Sequence, residues 1–181
     1  MTQARGFTLI ESIVVIVVMG IAMLTITSFL VPQVSRSADP HYQTRAAAMG
    51  QSIMTQILAR KFDENSGDQG GIPRCSSSDT GALVCSGPTG PRAFGIDADQ
   101  GETSTNPDTY NDVDDFHGCW EPLATNSCRD LNLLVGGNSY VNFRVDVEVT
   151  YAELNRLKRI QLTVSASNQT PIVLNAYRGN Y

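Results

Sequence analysis

The chain has little positive charge and few charged residues of any kind. Lys and Arg number 13 against 18 Asp and Glu in 181 residues, and charged residues make up 17% of the sequence. The acidic residues concentrate in residues 63–132, which hold thirteen acidic and three basic side chains. Proteins bind nucleic acid largely through Lys and Arg contacts to phosphates, so this balance argues against a nucleic-acid partner. The 41% of hydrophobic residues is enough for the core of one domain.

The sequence also lacks any C-x-x-C pair among its four cysteines, Cys75, Cys85, Cys119 and Cys128. Structural zinc sites commonly contain such pairs, so zinc is the less favoured interpretation. Four cysteines allow three disulfide pairings, and short polar loops favour Cys75 with Cys85 and Cys119 with Cys128. Disulfides persist in oxidising compartments, which predicts that this part of the chain lies outside the cytoplasm.

A long hydrophobic run lies near the N-terminus, over residues 7–31. As a helix it would be about 37 Å long, more than the roughly 30 Å hydrocarbon core of a bilayer. The run is longer than a secretory signal and lacks an A-x-A cleavage site, so it predicts a membrane helix that stays in the mature protein. Its one charge, Glu11, would cost about 2.5–3.5 kcal/mol at mid-bilayer, and less if it lies shallow enough to reach the headgroups.

Residues 5–11 read R-G-F-T-L-I-E and open this run after a short leader. The string resembles the class III leader of type IV pilins and pseudopilins. The resemblance implies that a prepilin peptidase removes residues 1–6 by cutting between Gly6 and Phe7 and methylates the new Phe7 amine. It also implies that Glu11 pairs with the Phe7 amine of a neighbouring subunit on assembly. The implied partners are other pilin subunits, the peptidase, membrane lipid and the inner-membrane assembly platform.

Residues 32–62 predict a continuation of the helix outside the membrane. Pro32 and Asp39-Pro40 predict two bends, with Asp39 capping a restarted helix and Pro40 at its first position. Beyond them, apolar residues recur at three- and four-residue spacing and predict an amphipathic stripe that ends near Phe62. Its members are Ala46, Met49, Ile53, Met54, Ile57 and Leu58.

Residues 131–181 predict an antiparallel sheet. Apolar and polar residues alternate over 140–151, beginning with Val141, and again over 159–166, and residues 172–178 form a shorter third strand. Short connections join these strands into a meander. A sheet packed on the helix stripe is an α+β head, the fold that the pilin resemblance implies.

Residues 63–130 show no sustained period and predict a long variable loop region that contains the cysteines. Its densest acidic cluster is Asp112, Asp114 and Asp115, and clustered carboxylates suit calcium. The spacing is not that of an EF-hand, so a solvated acidic surface is favoured over a calcium site. His117 near Cys119 does not predict catalysis, because a disulfide-bonded cysteine is not a nucleophile. No catalytic residue and no other cofactor are predicted.

The string Y-N-D-V-D-D-F-H-G before Cys119-Trp120, with the C-terminal A-Y-R-G-N-Y, resembles MshD-type minor pilins of the mannose-sensitive haemagglutinin (MSHA) pilus system. The resemblance implies a structural subunit that spans the inner membrane once, with a periplasmic head before assembly and a cell-surface position afterwards. A pseudopilin of a type II secretion system and a pilus-tip binding subunit are the alternatives. The final strand lacks the cysteine common in major pilins, which argues against the major subunit.

Overall fold

The computed structural model describes residues 8–67, 71–89, 92–124, 126–137, 140–166 and 169–181, with only the backbone over 31–40. The chain divides into two compact units, Met1–Tyr42 and Gln43–Tyr181. We call the second unit the head. The predicted leader, residues 1–6, and Phe7 lie outside the described residues.

The first element is a long helix, α1, over Leu9–Leu58. Its backbone stays helical through Pro32 and Pro40, so the predicted cap at Asp39 and restart at Pro40 are wrong. A proline removes one N–H donor from a helix, and here the loss of single hydrogen bonds does not end it. The helix ends four residues before Phe62, which is itself buried in the head.

The head contains one five-stranded sheet in the order β2-β1-β3-β4-β5. β1 pairs with the short β2 in parallel, and the other neighbours are antiparallel. A short helix, α2, follows β2 directly. The elements are β1 (Gly118–Glu121), β2 (Arg129–Asp130), α2 (Leu131–Val135), β3 (Phe143–Glu153), β4 (Leu157–Ala166) and β5 (Ile172–Gly179).

The head core forms where the last turns of α1 pack on this sheet. The predicted stripe is confirmed, because Ala46, Met49, Ile53 and Ile57 are all buried. At Gly50 the helix backbone lies close to the sheet, because a Cβ built there would lie 2.9 Å from Leu174 Cδ1 on β5. Helix and sheet together give the predicted α+β architecture.

The period-two alternation of β3 and β4 also matches the structure. The facing pairs Val145–Val164, Val147–Leu162 and Val149–Ile160 are buried together. Val141 departs from the prediction, because it precedes β3 and is 71% exposed. The alternation in the sequence begins before Phe143, the first residue of β3 that pairs with β4. The pattern alone therefore placed the start of the strand too early.

The sequence predicts a middle region without regular structure, but the structure places a strand within it. β1 lies within it and adds to the edge of β3, with Trp120 opposite Val145. The Trp120 side chain is fully buried and its Nε1 donates to Phe116 O at 3.2 Å. A four-residue strand is too short to show a period in the sequence, which is why it was missed.

Candidate functional site

The apolar part of α1, Leu9–Leu30, is long and apolar enough to cross a membrane, with mean hydropathy 2.7. Its large hydrophobic side chains are all exposed, from 44% at Val15 to 79% at Leu9. Exposed apolar patches of this size on a protein mark a membrane or protein interaction site. By length and composition the segment fits a membrane or an apolar protein surface.

The hydroxyl side chains of Thr25, Thr27 and Ser28 donate hydrogen bonds within the helix. Thr25 Oγ1 donates to Ala22 O at 2.8 Å, Thr27 Oγ1 to Met23 O at 2.8 Å, and Ser28 Oγ to Thr25 O at 2.9 Å. Such back-bonding lets Ser and Thr enter an apolar medium without unpaired donors. The hydroxyl groups therefore do not oppose burial of this helix in lipid.

Glu11 lies in the first turn of α1 with its side chain exposed. Thr8 precedes the helix, and its Oγ1 accepts a hydrogen bond from the Glu11 N–H at 3.4 Å. Thr8 and Glu11 have the spacing of a capping box, a role that the sequence reasoning did not consider. Among the residues with described side chains, no cation pairs with Glu11. The exposed carboxylate is therefore accessible to a partner from outside the chain.

The second notable site is a buried ion cluster in the head, centred on Lys158 of β4. Lys158 is fully buried, and its Nζ donates to Phe62 O at 2.7 Å and to Asp63 Oδ2 at 3.0 Å. A third hydrogen bond joins Nζ to Asp114 Oδ1. Buried charges are tolerated when they are paired and hydrogen-bonded, and all three donor hydrogens of this ammonium group have partners.

Three aromatic rings surround the same ammonium group. Lys158 Nζ lies 4.6 Å from the ring centroid of Phe62, 5.2 Å from that of Phe94 and 5.8 Å from that of Tyr151. The Tyr151 hydroxyl donates to Ser86 O at 2.6 Å. Ring faces attract a cation and also exclude water. The Lys158 cluster is thus a buried site in which charge, hydrogen bonds and aromatic packing coincide.

The predicted acidic surface is in fact interior. Asp112, Asp114 and Asp115 are at most 2% exposed, so the interpretation as a solvated surface is wrong. Asp112 Oδ1 accepts from the N–H groups of Asp114 at 2.8 Å and Asp115 at 3.2 Å, and Asp115 Oδ2 accepts from those of Asn111 at 3.0 Å and Asp112 at 2.9 Å. These carboxyl groups fold their own segment, and the calcium hypothesis stays a prediction.

Burial shifts the protonation of this cluster. It raises the pKa of Asp112 well above its usual range, with Asp114 and Asp115 adding repulsion, and it also raises the pKa of Asp114. Burial raises the pKa of Asp115 to about 8, with a contribution from Glu102. For Lys158, burial lowers the pKa, but Asp114 and Asp63 outweigh it and leave the pKa above the ordinary value. At neutral pH Asp115 is therefore mostly protonated, while Lys158 stays charged.

His117 has a structural role in the described head. Its Nδ1 accepts the Val149 N–H at 3.1 Å, and burial lowers its pKa, so the neutral ring is favoured. Cys119 is bonded to Cys128, which leaves no thiol beside the imidazole. The arrangement provides no nucleophile and base pair.

Both disulfides are the pairs that the short loops favour, Cys75–Cys85 and Cys119–Cys128. Asn180 ties the first of these loops to the C-terminus. Its Nδ2 donates to Cys75 O at 2.9 Å and to Asn155 O at 2.8 Å. The Cys75–Cys85 loop is thus held both covalently and by the last residues of the chain.

We expect the Cys75→Ser, Cys85→Ser double variant to lower the free energy of unfolding by a little under 3 kcal/mol. On the chain-entropy model, a disulfide that closes a loop of 10 residues stabilises the protein by roughly that much, because it restricts the unfolded chain. Denaturant melts of the oxidised wild type and the variant measure the difference. Reducing the wild type should destabilise it more than the double substitution does, because reduction also opens Cys119–Cys128. Equal free energies of unfolding for the oxidised wild type and the double variant would contradict the expectation.

Residues 1–27 match the family described as the prokaryotic N-terminal methylation motif. No curated protein and no solved structure matched the chain. The motif, followed by an apolar helix and an α+β head, supports a type IV pilin-like or pseudopilin subunit. Members of that class are structural subunits that associate with other pilins and with prepilin peptidase, and the helix fits membrane anchoring and incorporation into a filament.

Sequence reasoning missed Lys158 and Asp63 as partners of the acidic segment. One signal for Lys158 was available, since it occupies an inward position in the alternation of β4, where apolar Ile160 and Leu162 follow. A lysine at such a position needs a buried acidic partner. Asp63 carried no comparable local signal.

Proposed function

We propose that this chain is a minor pilin, a structural and assembly subunit of a type IV pilus of the MSHA kind. The observation that carries the proposal is the N-terminal methylation motif on a 22-residue apolar helix that nothing in the described protein covers. In this proposal prepilin peptidase cuts between Gly6 and Phe7, and the helix moves from the inner membrane into the filament core. The disulfides support a periplasmic head before assembly.

The finer MSHA assignment is supported by two strings, and both have structural roles in the head. The first contains the buried Asp112, Asp114 and Asp115, and the second contains Asn180, which fastens the Cys75–Cys85 loop. These residues make hydrogen bonds inside the head. Their resemblance to MshD-type pilins therefore concerns the architecture of the head rather than a ligand.

The first alternative is a pseudopilin of a type II secretion system, which would share the motif and the helix. The second is a tip subunit that binds a surface, favoured by a cleft of about 630 Å³ beside the first disulfide loop. Val84, Thr89, Arg92 and Asp97 are among the residues that line it. The neighbouring genes separate the first alternative from the proposal, since they would encode either a pilus or a secretion system. Imaging of labelled protein tests the second alternative, because a tip subunit would lie at the ends of filaments and not along them.

We predict that Glu11→Gln reduces incorporation into filaments by at least about tenfold while leaving membrane insertion and leader removal intact. The substitution keeps a capping-box side chain but removes the negative charge that would meet a neighbour's Phe7 amine. Losing about 1.4 kcal/mol of subunit contact corresponds to a tenfold change. The measurement is the amount of this chain in sheared filaments relative to the amount in membranes.

Glu11→Ala should have the same effect, because both variants lack the charge. The matched control is Glu153→Gln, which makes the same chemical change at an exposed position of the head. Normal incorporation of Glu11→Gln together with poor incorporation of Glu11→Ala would assign Glu11 to helix capping and refute the charge-pairing role.

A further inference from the structure

The Lys158 cluster places an amine beside a carboxyl group in the buried interior of the head. Lys158 Nζ hydrogen-bonds Asp114 Oδ1, and both side chains are at most 3% exposed. The ring centroids of Phe62, Phe94 and Tyr151 lie within 5.8 Å of Nζ, and Lys158 is fully buried. An amine and a carboxylic acid held in this way are the reactants for an amide bond.

We propose that Lys158 and Asp114 form an intramolecular isopeptide bond, in which Nζ is joined to Cγ and one water molecule is released. The bond is a covalent modification distinct from the N-terminal processing and does not depend on the proposed pilus function. It would link β4 to the acidic segment 44 residues earlier in the chain.

Asp114 is the electrophile in this proposal, although Nζ also contacts Asp63. Both oxygens of Asp63 accept backbone hydrogen bonds, Oδ1 from Asn65 N–H at 3.1 Å and Oδ2 from Ser86 N–H at 2.8 Å. Such bonds stabilise a carboxylate as an anion and make it a poor acyl group. Asp63 is therefore the proton acceptor beside Nζ.

Asp112 is the proton donor. Its carboxyl group hydrogen-bonds the carboxyl group of Asp114, and it lies on the acidic segment away from the bulk solvent. A proton donated to Asp114 makes that group a neutral acid, whose carbon is open to attack. The three aspartates thus have separate tasks around one lysine, as acceptor, electrophile and donor.

The step balances without an oxidant or a further reactant. The Lys158 ammonium group gives one proton to Asp63, and Asp112 gives its proton to Asp114. The Nζ lone pair then attacks Cγ, the new N–C bond forms and one C–O bond breaks. The departing oxygen leaves as water with the proton from Asp112 and a second proton from nitrogen, and the third nitrogen proton stays on the amide.

Two physical effects favour the reaction in this site. Reactants held in contact behave as if at about 10⁵–10⁸ M, which offsets the slow rate of amide formation between separate molecules. A buried ion pair also carries a large desolvation cost, and a neutral amide with a released water molecule removes it. The resulting link would restrain the unfolded chain in the way that a disulfide does.

The test is the mass of the full-length wild-type protein and of its peptides, measured after reduction of the disulfides. We expect a tryptic fragment in which the Lys158 and Asp114 peptides are joined at their summed mass less one water, with no cleavage after Lys158. Lys61, the other lysine of the chain, is an internal control, because its Nζ lies 3.7 Å from a Glu64 oxygen and is part-exposed. It should remain unmodified and cleavable.

Lys158→Arg and Asp114→Ala should each lose the joined fragment and restore the sequence mass. Asp112→Asn should form the bond more slowly. Protein purified soon after synthesis should therefore contain less of the joined fragment than wild-type protein of the same age. Recovery of wild-type Lys158 and Asp114 in separate peptides at their sequence masses would overturn the proposal. A water loss that leaves Lys158 cleavable would indicate a cyclised aspartate and would overturn it as well.

Discussion

Replacing Lys158 with methionine should lower the free energy of unfolding by at least about 3 kcal/mol, because it leaves Asp63 and Asp114 buried without their cation. Methionine keeps the length and apolar stem of the side chain, so the loss reports removal of the Lys158 nitrogen, whether as an ammonium group or as the proposed amide, rather than a cavity. Denaturant melts of the purified full-length protein, followed by tryptophan fluorescence, measure the change, since Trp120 is fully buried in the head.

Lys61→Met is the matched control for this variant. Lys61 pairs with Glu64 at 3.7 Å with both side chains partly exposed, and such pairs contribute about 0–1 kcal/mol. A loss below about 1 kcal/mol for both variants would show that the Lys158 cluster does not stabilise the head. Asp63 and Asp114 would then have to be neutral or hydrated in the folded protein.

The stability of the head should fall as the pH rises from about 4 to about 8. Burial raises the pKa of Asp115 to about 8, against 3.8 for an ordinary aspartate, so in this window the folded state keeps a proton that the unfolded state has lost. The stability that this proton provides is fully present below pH 4 and is lost as the pH rises through 8. The slope from this one group is up to about 1.4 kcal/mol per pH unit.

Asp115→Asn should remove this part of the pH dependence and make the protein more stable than the wild type at pH 8. Its amide can donate to Glu102 as the protonated carboxyl does, without a proton to lose. Asp108→Asn is the control, because Asp108 is exposed in the same region and should leave the slope unchanged. Parallel stability curves for wild type and Asp115→Asn between pH 4 and pH 8 would refute the expectation.

The elements predicted correctly from the sequence are those whose pattern lies within one short stretch. The stripe containing Ala46, Met49 and Ile53 repeats with the helical period, and β3 and β4 alternate with the period of a strand. Each pattern is complete within its own element. The α+β architecture follows from matching one apolar face to the other.

The Lys158 cluster could not be predicted in this way, because its members come from distant parts of the chain. Asp63 lies 95 residues and Asp114 44 residues from Lys158 in the sequence. Aspartates are mostly exposed in proteins, so a cluster of three is ordinarily assigned to the surface. Here a lysine and a set of backbone N–H groups make their burial possible, and only the folded chain brings these together.

The prediction of a helix break at Asp39-Pro40 was wrong for a different reason. Aspartate before proline is a common start signal, but it is a local preference of about 1 kcal/mol. The turns of α1 on both sides of this dipeptide continue without it. Local capping signals are therefore weak evidence inside a helix as long as α1.

The central claim is that this chain is processed at its N-terminus and enters a filament through its apolar helix. The most direct measurement is mass spectrometry of the N-terminal peptide of this chain, recovered from sheared and washed filaments. We predict a peptide that begins with methylated Phe7 and contains Glu11. Absence of the chain from the filaments, with membrane protein that still begins at Met1, would contradict the account.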